Sequence, residues 1–353
     1  MNEKISKQLS KLKQDQTLIA NNLNAKGQPA QVTDKLDTLA NYILNIASGD
    51  IKLGNKEITE DGEYRAYDDN LDGYSLVNIN VLKGIDYVGN FVGSGSSIKK
   101  NVKIYNDVPD YAFKDIELNK VELVNSNKIG DYAFYSSGIL EFINNKPLIV
   151  GKRAFYLNSN LEYNITISEE QQIIYPYTFY TCSKMTFDIP NNITEIGDYA
   201  FYNCSSNNME SLPSELESIG TYAFNSNSSL KLTELPPKLT TIKSYAFRSS
   251  GLETIKIPDS CTSIAEGAFR YNSELNTVEI GTGILSLTNY CFANDTVLKT
   301  FIIHKKTPPT LQSTTFNSTN LEVIKVPNSA LELYKKATNW SKFADIMVGI
   351  EGE

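Results

Sequence analysis

The chain has 353 residues and a formal net charge of −8, from 33 lysines and arginines against 41 aspartates and glutamates. This length exceeds one ordinary globular core, so it predicts several domains or a repeat architecture. The negative charge gives no long-range attraction for nucleic acid or anionic lipid, so neither is an expected partner. Twenty-one tyrosines beside a single histidine indicate a structural tyrosine position that is used many times.

The first thirty residues contain no apolar run longer than residues 18–20. A cleavable signal peptide carries a longer apolar stretch, and a membrane-spanning helix needs about 20 apolar residues. We therefore expect no cleavable signal peptide and no membrane insertion. A role outside the cell would then need another route of release.

Residues 1–49 are predicted to form two helices with apolar seams. The second seam runs from Val32 to Ile46, after Gly27 and Pro29 end the first helix. The helices either fold back as a hairpin within one chain or associate with other chains as a short coiled coil. We favour a homo-oligomer, with a trimer preferred. Its predicted contacts are the apolar residues of the first seam, Ile5, Leu9, Leu12, Ile19 and Leu23.

Residues 50–83 are predicted to form a small β module punctuated by glycine and aspartate. Within it, Asp68, Asn70 and Asp72 match the opening of a calcium-binding loop. The twelfth loop position is Ile79, whereas an EF-hand requires glutamate there. Two interpretations stay open: a looser cation site, or a turn whose polar side chains bond the local backbone. Residues 84–103 are predicted to be a linker and a degenerate first coil.

Residues 104–326 contain a repeat, in which tyrosine often lies two positions before a phenylalanine and alternating apolar residues follow. One coil of this length cannot bury its own apolar face, but stacked coils share a continuous core. The pattern predicts a solenoid of about ten coils with a parallel β ladder, closed by a cap over residues 327–353. The anchor phenylalanines recur every 21–24 residues, at Phe113, Phe134, Phe155, Phe179, Phe201, Phe224, Phe247, Phe269, Phe292 and Phe316.

Residues 196–204 read Ile-Gly-Asp-Tyr-Ala-Phe-Tyr-Asn-Cys, which resembles the BspA-like (Treponema-type) leucine-rich repeat of bacterial surface proteins. The segment from Val326 through Tyr334, Trp340 and Ala344 is similar to the closing cap of that family. The resemblance implies a leucine-rich-repeat solenoid that serves as a binding scaffold, often as an adhesin, and has no catalytic activity.

Residues 1–50 resemble a short module at the head of virion proteins of tailed bacteriophages from Gram-positive hosts. The matching positions are Lys26-Gly27 at the end of the first helix, and Tyr42 and Ile46 at the end of the second. Residues 57–59 and 72–75 are similar to the β module that often follows in such proteins. This resemblance implies attachment to a virus particle through the N-terminus.

His304 is the single histidine, so any Ser-His-Asp or Cys-His catalytic unit would have to be built around it. Its parity with Ile302 leaves open which face of a strand it occupies. We expect no enzyme activity and no cofactor. Cys182 and Cys204 each follow an anchor phenylalanine by three residues, so they would stack on each other. Either they form a disulfide or, as we favour, they stay reduced in the core.

The residue after each anchor phenylalanine marks the candidate interaction surface, which comprises Tyr135, Tyr156, Tyr180, Tyr202, Arg248 and Arg270. Exposed tyrosines would suit a host-surface glycan or protein, and adjacent arginines an anionic polymer. Alternatively, the tyrosine rings only pack between coils. The leading hypothesis is a virion appendage protein, of tail-fibre or head-fibre type. It would bind other virion proteins through the N-terminus and the host surface through the solenoid. The alternative is a bacterial cell-surface adhesin.

Overall fold

The computed structural model describes five strands in the N-terminal part of the chain, at residues 55–58, 62–63, 76–81, 87–88 and 99–104, and then residues 107–352 without a gap. Side chains are described at residues 101–104 and 107–352. The predicted helices of residues 1–49, with their seam at Ile5, Leu9, Leu12, Ile19 and Leu23, lie outside the described residues. The same holds for the calcium-loop residues Asp68, Asn70 and Asp72.

The described strands recur about twice in each coil of the chain. In chain order they are β1 (Asn55–Ile58), β2 (Gly62–Glu63), β3 (Leu76–Val81), β4 (Tyr87–Val88), β5 (Lys99–Ile104), β6 (Leu118–Leu123), β7 (Lys128–Ile129), β8 (Glu141–Ile143), β9 (Ile149–Val150), β10 (Asn164–Thr166), β11 (Ile173–Ile174), β12 (Thr186–Asp188), β13 (Glu195–Ile196), β14 (Ser218–Ile219), β15 (Thr241–Ile242), β16 (Thr254–Ile257), β17 (Ser263–Ile264), β18 (Thr277–Ile280), β19 (Ser286–Leu287), β20 (Thr300–Ile303), β21 (Thr310–Leu311), β22 (Val323–Pro327) and β23 (Met347–Ile350).

The longer strands form the predicted parallel ladder, since each coil places its alternating apolar segment beside that of the next. Strands β3, β5, β6 and β8 pair in that order, β10 pairs with β12, and β16, β18, β20, β22 and β23 continue the pattern. Ile255, Val278, Phe301 and Ile324 are register partners across four strands, and all are buried. One face of this ladder therefore lines the core.

A second ladder of two-residue strands lies on another side of each coil. Seven of these strands pair in parallel in the order β11, β13, β14, β15, β17, β19 and β21. Ile196, Ile219 and Ile242 are register partners in it and are fully buried. This ladder is not predictable from the sequence pattern, because two residues are too few to show an alternation.

The Tyr-Ala-Phe segment forms a third hydrogen-bonded ladder, although it contains no strand. The backbone amides of Tyr199, Phe201 and Asn203 donate to carbonyls of the next coil at 2.8–2.9 Å. Tyr199 and Asn203 adopt left-handed backbone angles, with φ of 57° and 54°, and equivalent residues do the same along the solenoid. Gly220 allows adjacent turns to approach closely, since a Cβ there would lie 2.5 Å from the Asp198 nitrogen.

The anchor phenylalanines form the centre of the core, so the solenoid predicted from their spacing is confirmed. All ten rings are buried, and consecutive rings lie 5.3–5.9 Å apart between centroids. Each coil therefore contributes one ring to an unbroken column that runs from Phe113 to Phe316.

The ladder also extends beyond residue 104, the boundary that the sequence analysis places at the start of the solenoid. Strand β3, assigned there to a separate β module, pairs in parallel with β5 over six residues. Strand β5 in turn pairs with β6 of the first regular coil, with a register shift between Lys100 and Asn101. The domain boundaries drawn from the sequence stay a prediction.

The C-terminal end of the solenoid is closed by short helices and by strand β23. A 3₁₀ helix (Asn328–Ala330) leads into α1 (Leu331–Lys336), and a second 3₁₀ helix (Trp340–Ile346) precedes β23. Trp340 and Tyr334 are fully buried, and they donate hydrogen bonds to the carbonyls of Pro309 and Lys305 at 2.8 and 2.9 Å. The cap therefore covers the last coil with aromatic rings whose polar atoms are satisfied.

Candidate binding surface

The residues that follow the anchor phenylalanines form a stack in the first half of the solenoid. The ring centroids of Tyr135 and Tyr156 lie 4.5 Å apart, and the rings are nearly parallel. The distance from Tyr156 to Tyr180 is 4.6 Å, and from Tyr180 to Tyr202 it is 4.8 Å. These distances match the strand spacing of ~4.8 Å, because each coil adds one ring. The structure thus brings the four predicted tyrosines together in one ladder.

A second tyrosine ladder runs beside the first, two positions before the anchor phenylalanines. Its rings stack at 4.8–4.9 Å, from Tyr111 onto Tyr132 and from Tyr177 to Tyr245. Tyr199 of this ladder contacts Tyr202 of the first, with 5.8 Å between centroids. We call the joint surface the tyrosine face. Its residues are Tyr111, Tyr132, Tyr135, Tyr156, Tyr177, Tyr180, Tyr199, Tyr202, Tyr222 and Tyr245.

One coil carries an arginine where the second ladder would have a tyrosine. The guanidinium carbon of Arg153 lies 5.4 Å from the ring centroid of Tyr132 and 4.5 Å from that of Tyr177. Its Nη1 donates to the hydroxyl of Tyr132 at 3.0 Å. A guanidinium over an aromatic ring is attracted to the ring electrons. Arg153 therefore bridges the two parts of the ladder.

The tyrosine rings cover one another's faces, and their edges and hydroxyl groups line the surface. Tyr111 is 44 % exposed, and the other rings of the face are partly buried. Burial raises the pKa of the Tyr156 and Tyr180 hydroxyls, and neighbouring tyrosines raise it further. Both groups are therefore uncharged at neutral pH. The rings do pack between coils, as the alternative interpretation expects. Ligand binding by these rings stays a prediction.

In later coils the same position carries the two predicted arginines. The guanidinium carbons of Arg248 and Arg270 lie 4.9 and 4.6 Å from the ring centroid of Tyr271. Arg270 also lies 5.0 Å from the ring centroid of Tyr290. We call Arg248, Arg270, Tyr271 and Tyr290 the arginine cluster. The repeat pattern predicts the two arginines as surface residues but not Tyr271, which follows Arg270 directly and is 40 % exposed.

The cysteine pair lies inside the solenoid and is not bridged. All four cysteines are free and buried. The thiols of Cys182 and Cys204 donate to the carbonyls of Phe155 and Phe179, each at 3.0 Å. Burial raises the pKa of both thiols, so they stay protonated. The structure therefore agrees with the favoured alternative of reduced cysteines in the core.

Asp295 occupies the same buried position, three residues after its anchor phenylalanine. In the preceding coil Asn272 stands there, and its Nδ2 donates to the carbonyl of Phe247 at 2.9 Å. Asp295 Oδ1 accepts a hydrogen bond from the backbone amide of Asn272 at 2.8 Å. The Oδ2 atom of Asp295 has no hydrogen-bond partner within the described part of the chain. Burial raises the pKa of Asp295 to about 9, so the carboxyl group is protonated at neutral pH.

His304 lies in a line of charged side chains along three consecutive coils. Its Nε2 is 3.2 Å from Glu279 Oε1, which is also 3.1 Å from Lys256 Nζ. Burial raises the pKa of Glu279, but Lys256 and His304 outweigh it and lower the pKa below its ordinary value. This geometry is that of a ladder of polar side chains joined through Glu279 on a partly exposed face. The expectation that the chain has no enzyme activity stays a prediction.

No group of three or more His, Cys, Asp or Glu side chains within residues 101–104 and 107–352 is arranged to hold a metal ion. Among the described helices, none has the length and apolar character needed to cross a membrane.

Family models for the BspA-type leucine-rich repeat region, a unit of six copies, match residues 68–182, 148–276 and 227–344. Together these matches run without a gap from residue 68 to residue 344. The chain belongs to the BspA-type leucine-rich repeat family. The resemblance drawn from residues 196–204 is thereby confirmed.

Solved structures of other leucine-rich-repeat proteins are similar to this family member. A leucine-rich cell surface protein from Faecalibacterium prausnitzii A2-165 is 20 % identical, with 84 % of this chain and 90 % of that chain covered and a TM-score of 0.41. The pneumococcal vaccine antigen PcpA is 16 % identical, with coverage of 84 % and 87 % and a TM-score of 0.38. A leucine-rich repeat protein from Eubacterium ventriosum is 17 % identical, with coverage of 78 % and 82 % and a TM-score of 0.36.

No curated protein matches the chain. The resemblance of residues 1–50 to virion proteins is not shown by these comparisons and stays a prediction.

Proposed function

We propose that this BspA-type repeat protein is a surface-displayed, non-catalytic binding scaffold, and that its tyrosine face attaches it to a protein on a host surface. Family membership supports a repeat scaffold, and repeat proteins bind through equivalent positions in successive coils. The observation that carries the proposal is the double ladder of ten tyrosines. Their rings stack on the surface rather than in the core, where the phenylalanines perform the packing.

The ring geometry favours a protein partner over a glycan. A sugar ring packs best on a free aromatic face, but here the faces are covered by neighbouring rings 4.5–4.9 Å away. Ring edges and hydroxyl groups line the surface, and these contact apolar side chains and accept or donate hydrogen bonds. Tyrosine is enriched at protein interfaces for this combination of contact area and polar tip.

The stacking also lowers the entropic cost of binding. A side chain that is ordered only in a complex loses about 0.5–1.5 kcal/mol of rotamer freedom on binding. Tyr156 and Tyr180 each contact a parallel ring in both neighbouring coils, so they are held in place before a partner arrives. The face is therefore a preorganised surface.

The test uses membrane proteins from eukaryotic epithelial cells, immobilised with and without enzymatic removal of their glycans. We expect the full chain to bind both preparations, and the Tyr156→Ser/Tyr180→Ser variant to bind at least about tenfold more weakly. Leu333→Ser is the control, because Leu333 is an exposed apolar residue of α1 outside the face. Loss of binding on deglycosylation would contradict a protein partner, and undiminished binding by the tyrosine variant would contradict the proposed face.

The virion appendage hypothesis rests on residues 1–82, most of which lie outside the described residues. The family match covers the repeat region and supports the surface-protein alternative better. The composition of purified phage particles from the bacterial strain that encodes the chain distinguishes the two hypotheses. Mass spectrometry should detect no chain in these particles if it is a bacterial surface protein. It should detect the chain in stoichiometric amount if it is a virion appendage.

We further propose that residues 1–49 make the chain a homo-oligomer, with a trimer as the expected state, so that several tyrosine faces bind together. Joining weak sites in this way raises the overall affinity without any new contact. Light scattering on the full chain and on a shortened chain that starts at Ile51 should then give different subunit numbers. If the full chain and the shortened chain are both monomeric, the helices form a hairpin within one chain.

A further inference from the structure

The arginine cluster differs from the tyrosine face in charge and in unused hydrogen-bonding capacity. Arg248 and Arg270 stand at the position that carries a stacked tyrosine in four earlier coils. The ring of Tyr271 packs against both guanidinium groups, and Tyr290 packs against that of Arg270. Two positive charges are therefore held on adjacent coils by aromatic rings rather than by carboxylates.

Most of the guanidinium donors of the cluster point to no protein acceptor. Arg270 donates from Nε to Asn294 Oδ1 and from Nη2 to the Tyr271 hydroxyl, both at 3.2 Å. Within the part of the chain that the structure describes, Arg270 Nη1 and the three guanidinium nitrogens of Arg248 make no hydrogen bond. These bonds and ring contacts orient Arg270 while its outer edge stays available.

Neither guanidinium group forms a direct ion pair with a described residue. No carboxylate oxygen of the described residues lies within 4.0 Å of either guanidinium. Glu266 accepts a hydrogen bond from the Tyr245 hydroxyl at 2.9 Å and so has its own partner. The chain as a whole carries a net charge of −8, whereas Arg248 and Arg270 place two positive charges on adjacent coils. Attraction here is therefore local to the cluster and is not a property of the whole surface.

We propose that the arginine cluster binds sulfate or phosphate monoester groups of an extended polymer. A single carboxylate is satisfied by one guanidinium fork, whereas a tetrahedral ester group presents three terminal oxygens and can engage two forks. The rings of Tyr271 and Tyr290 hold the planar guanidinium groups in place through cation–π contacts. Because the cluster is partly exposed, one ester binds weakly, and a polymer that presents many esters binds by repeated engagement.

Matched dextrans test the chemistry of the ligand. Fluorescent dextran sulfate, dextran phosphate and carboxymethyl dextran of equal length and charge density are titrated with the full chain, and binding is followed by anisotropy. We expect the sulfate or the phosphate polymer, or both, to bind at least about tenfold more tightly than the carboxymethyl polymer. The ratio between the first two distinguishes a sulfated from a phosphorylated source. The affinity should decrease as the salt concentration rises from about 0.05 M to about 0.3 M, because salt screens the charges.

Variants test the site. Arg248→Gln/Arg270→Gln should weaken binding of the preferred dextran at least about tenfold, and Arg248→Lys/Arg270→Lys about fivefold, since lysine keeps the charge but not the fork. Lys231→Gln/Lys299→Gln removes the same charge elsewhere on the solenoid and should change affinity less than about twofold. Unfolding midpoints of all variants confirm that folded protein is compared.

Three results would overturn the proposal: no polyanion binds, the lysine control loses as much as the arginine variant, or the Arg-to-Lys variant binds as well as the native chain. The Tyr156→Ser/Tyr180→Ser variant should bind the dextrans normally, because the cluster does not depend on the tyrosine face. A failure of the protein-binding proposal would therefore leave this one intact, and a failure here would leave that one intact.

Discussion

The phenylalanine column and the tyrosine face come from the same repeat and both add rings coil by coil, yet they lie in opposite environments. The phenylalanine rings lie 5.3–5.9 Å apart and are buried. Successive rings within each tyrosine ladder lie 4.5–4.9 Å apart and keep their edges at the surface. Burial removes the phenylalanines from water and so stabilises the fold. The stacked tyrosines gain less from burial, and their order serves the surface instead.

The two tyrosine ladders also differ from each other. The position two before the phenylalanine adopts a left-handed backbone, as at Tyr199 with φ of 57°, a conformation that costs about 1–2 kcal/mol for a non-glycine residue. That position is therefore tied to the shape of the turn. The position after the phenylalanine has no left-handed backbone, and it changes from Tyr202 to Asn225 and Arg248 in successive coils. We infer that the second of these positions is where binding specificity can vary.

The largest expected effect is loss of a buried ring. Phe201→Ala should lower the free energy of unfolding by about 3–5 kcal/mol, because it leaves a cavity between two coils. Urea denaturation of Phe201→Ala and of Tyr202→Ala, its neighbour on the surface, gives the comparison. Tyr202→Ala should cost about 1 kcal/mol, since it removes one ring stack. Equal losses for the two variants would contradict the separation of the column from the face.

The next effect concerns Asp295, whose carboxyl group is buried in the core beside the phenylalanine column. The pKa of Asp295 is raised to about 9 in the folded chain, against an unfolded value of about 3.9. The folded state therefore holds a proton that the unfolded state releases, so stability falls as pH rises from about 4 to about 9. Asp295→Asn should remove this slope and stabilise the chain by about 2–4 kcal/mol at pH 7.

Asparagine fits the site because Asn272 already donates to a phenylalanine carbonyl from the equivalent position. Denaturation of the native chain and of Asp295→Asn is compared at pH 4, 7 and 9. The difference should be near zero at the lowest pH and should grow as pH rises. A difference that is constant with pH would show that Asp295 titrates normally.

A smaller effect is expected from a ring in the middle of the face. Tyr180→Ala removes stacks with Tyr156 and Tyr202 and should cost about 1–2 kcal/mol, whereas Tyr180→Phe keeps both stacks and should cost less than about 0.5 kcal/mol. Thermal unfolding followed by near-ultraviolet circular dichroism reports both stability and ring order. If Tyr180→Phe is as costly as Tyr180→Ala, the hydroxyl and not the stacking holds the ladder.

The smallest effect is expected where the face contains an arginine. Arg153→Tyr restores the usual residue and should change stability by less than about 0.5 kcal/mol, while Arg153→Ser loses both ring contacts and should cost about 1 kcal/mol. Chemical denaturation at low and high salt measures both variants. A salt-insensitive loss in Arg153→Ser would point to packing of the side-chain stem rather than to the cation–π contacts.

Much of the solenoid could be predicted from the sequence, because each coil repeats the same burial problem. The spacing from Phe113 to Phe316 led to the coil length, the parallel ladder and the buried column. The short ladder through Ile196 and Ile219 could not be found in this way, since a two-residue strand has no period. The left-handed tyrosines were equally hidden, because tyrosine has no intrinsic preference for positive φ.

The candidate surface was predictable only in part. The residue after each phenylalanine pointed to Tyr156 and Arg270. The repeat also contains a tyrosine two positions before the phenylalanine, but the sequence did not show that Tyr199 stacks beside the first ladder or that Tyr271 lies between two arginines. These contacts depend on the direction in which the turn orients each side chain. The spacing of residues along the sequence gives no information on that direction. Asp295 was also missed, although alignment of the coils on their phenylalanines places it with Asn272 and would have marked it as a buried acid.

One paired measurement separates the two roles of the repeat. Phe201→Leu and Tyr156→Ser/Tyr180→Ser are compared with the native chain for unfolding midpoint and for binding to immobilised deglycosylated membrane proteins, on the same samples. Phe201→Leu should lower the midpoint and leave binding by folded molecules within about twofold, because a core substitution does not reach the surface. The tyrosine variant should lose at least about tenfold in binding with a smaller change of midpoint. If the loss of binding is proportional to the loss of unfolding midpoint in both variants, the assignment of attachment to the tyrosine face is contradicted.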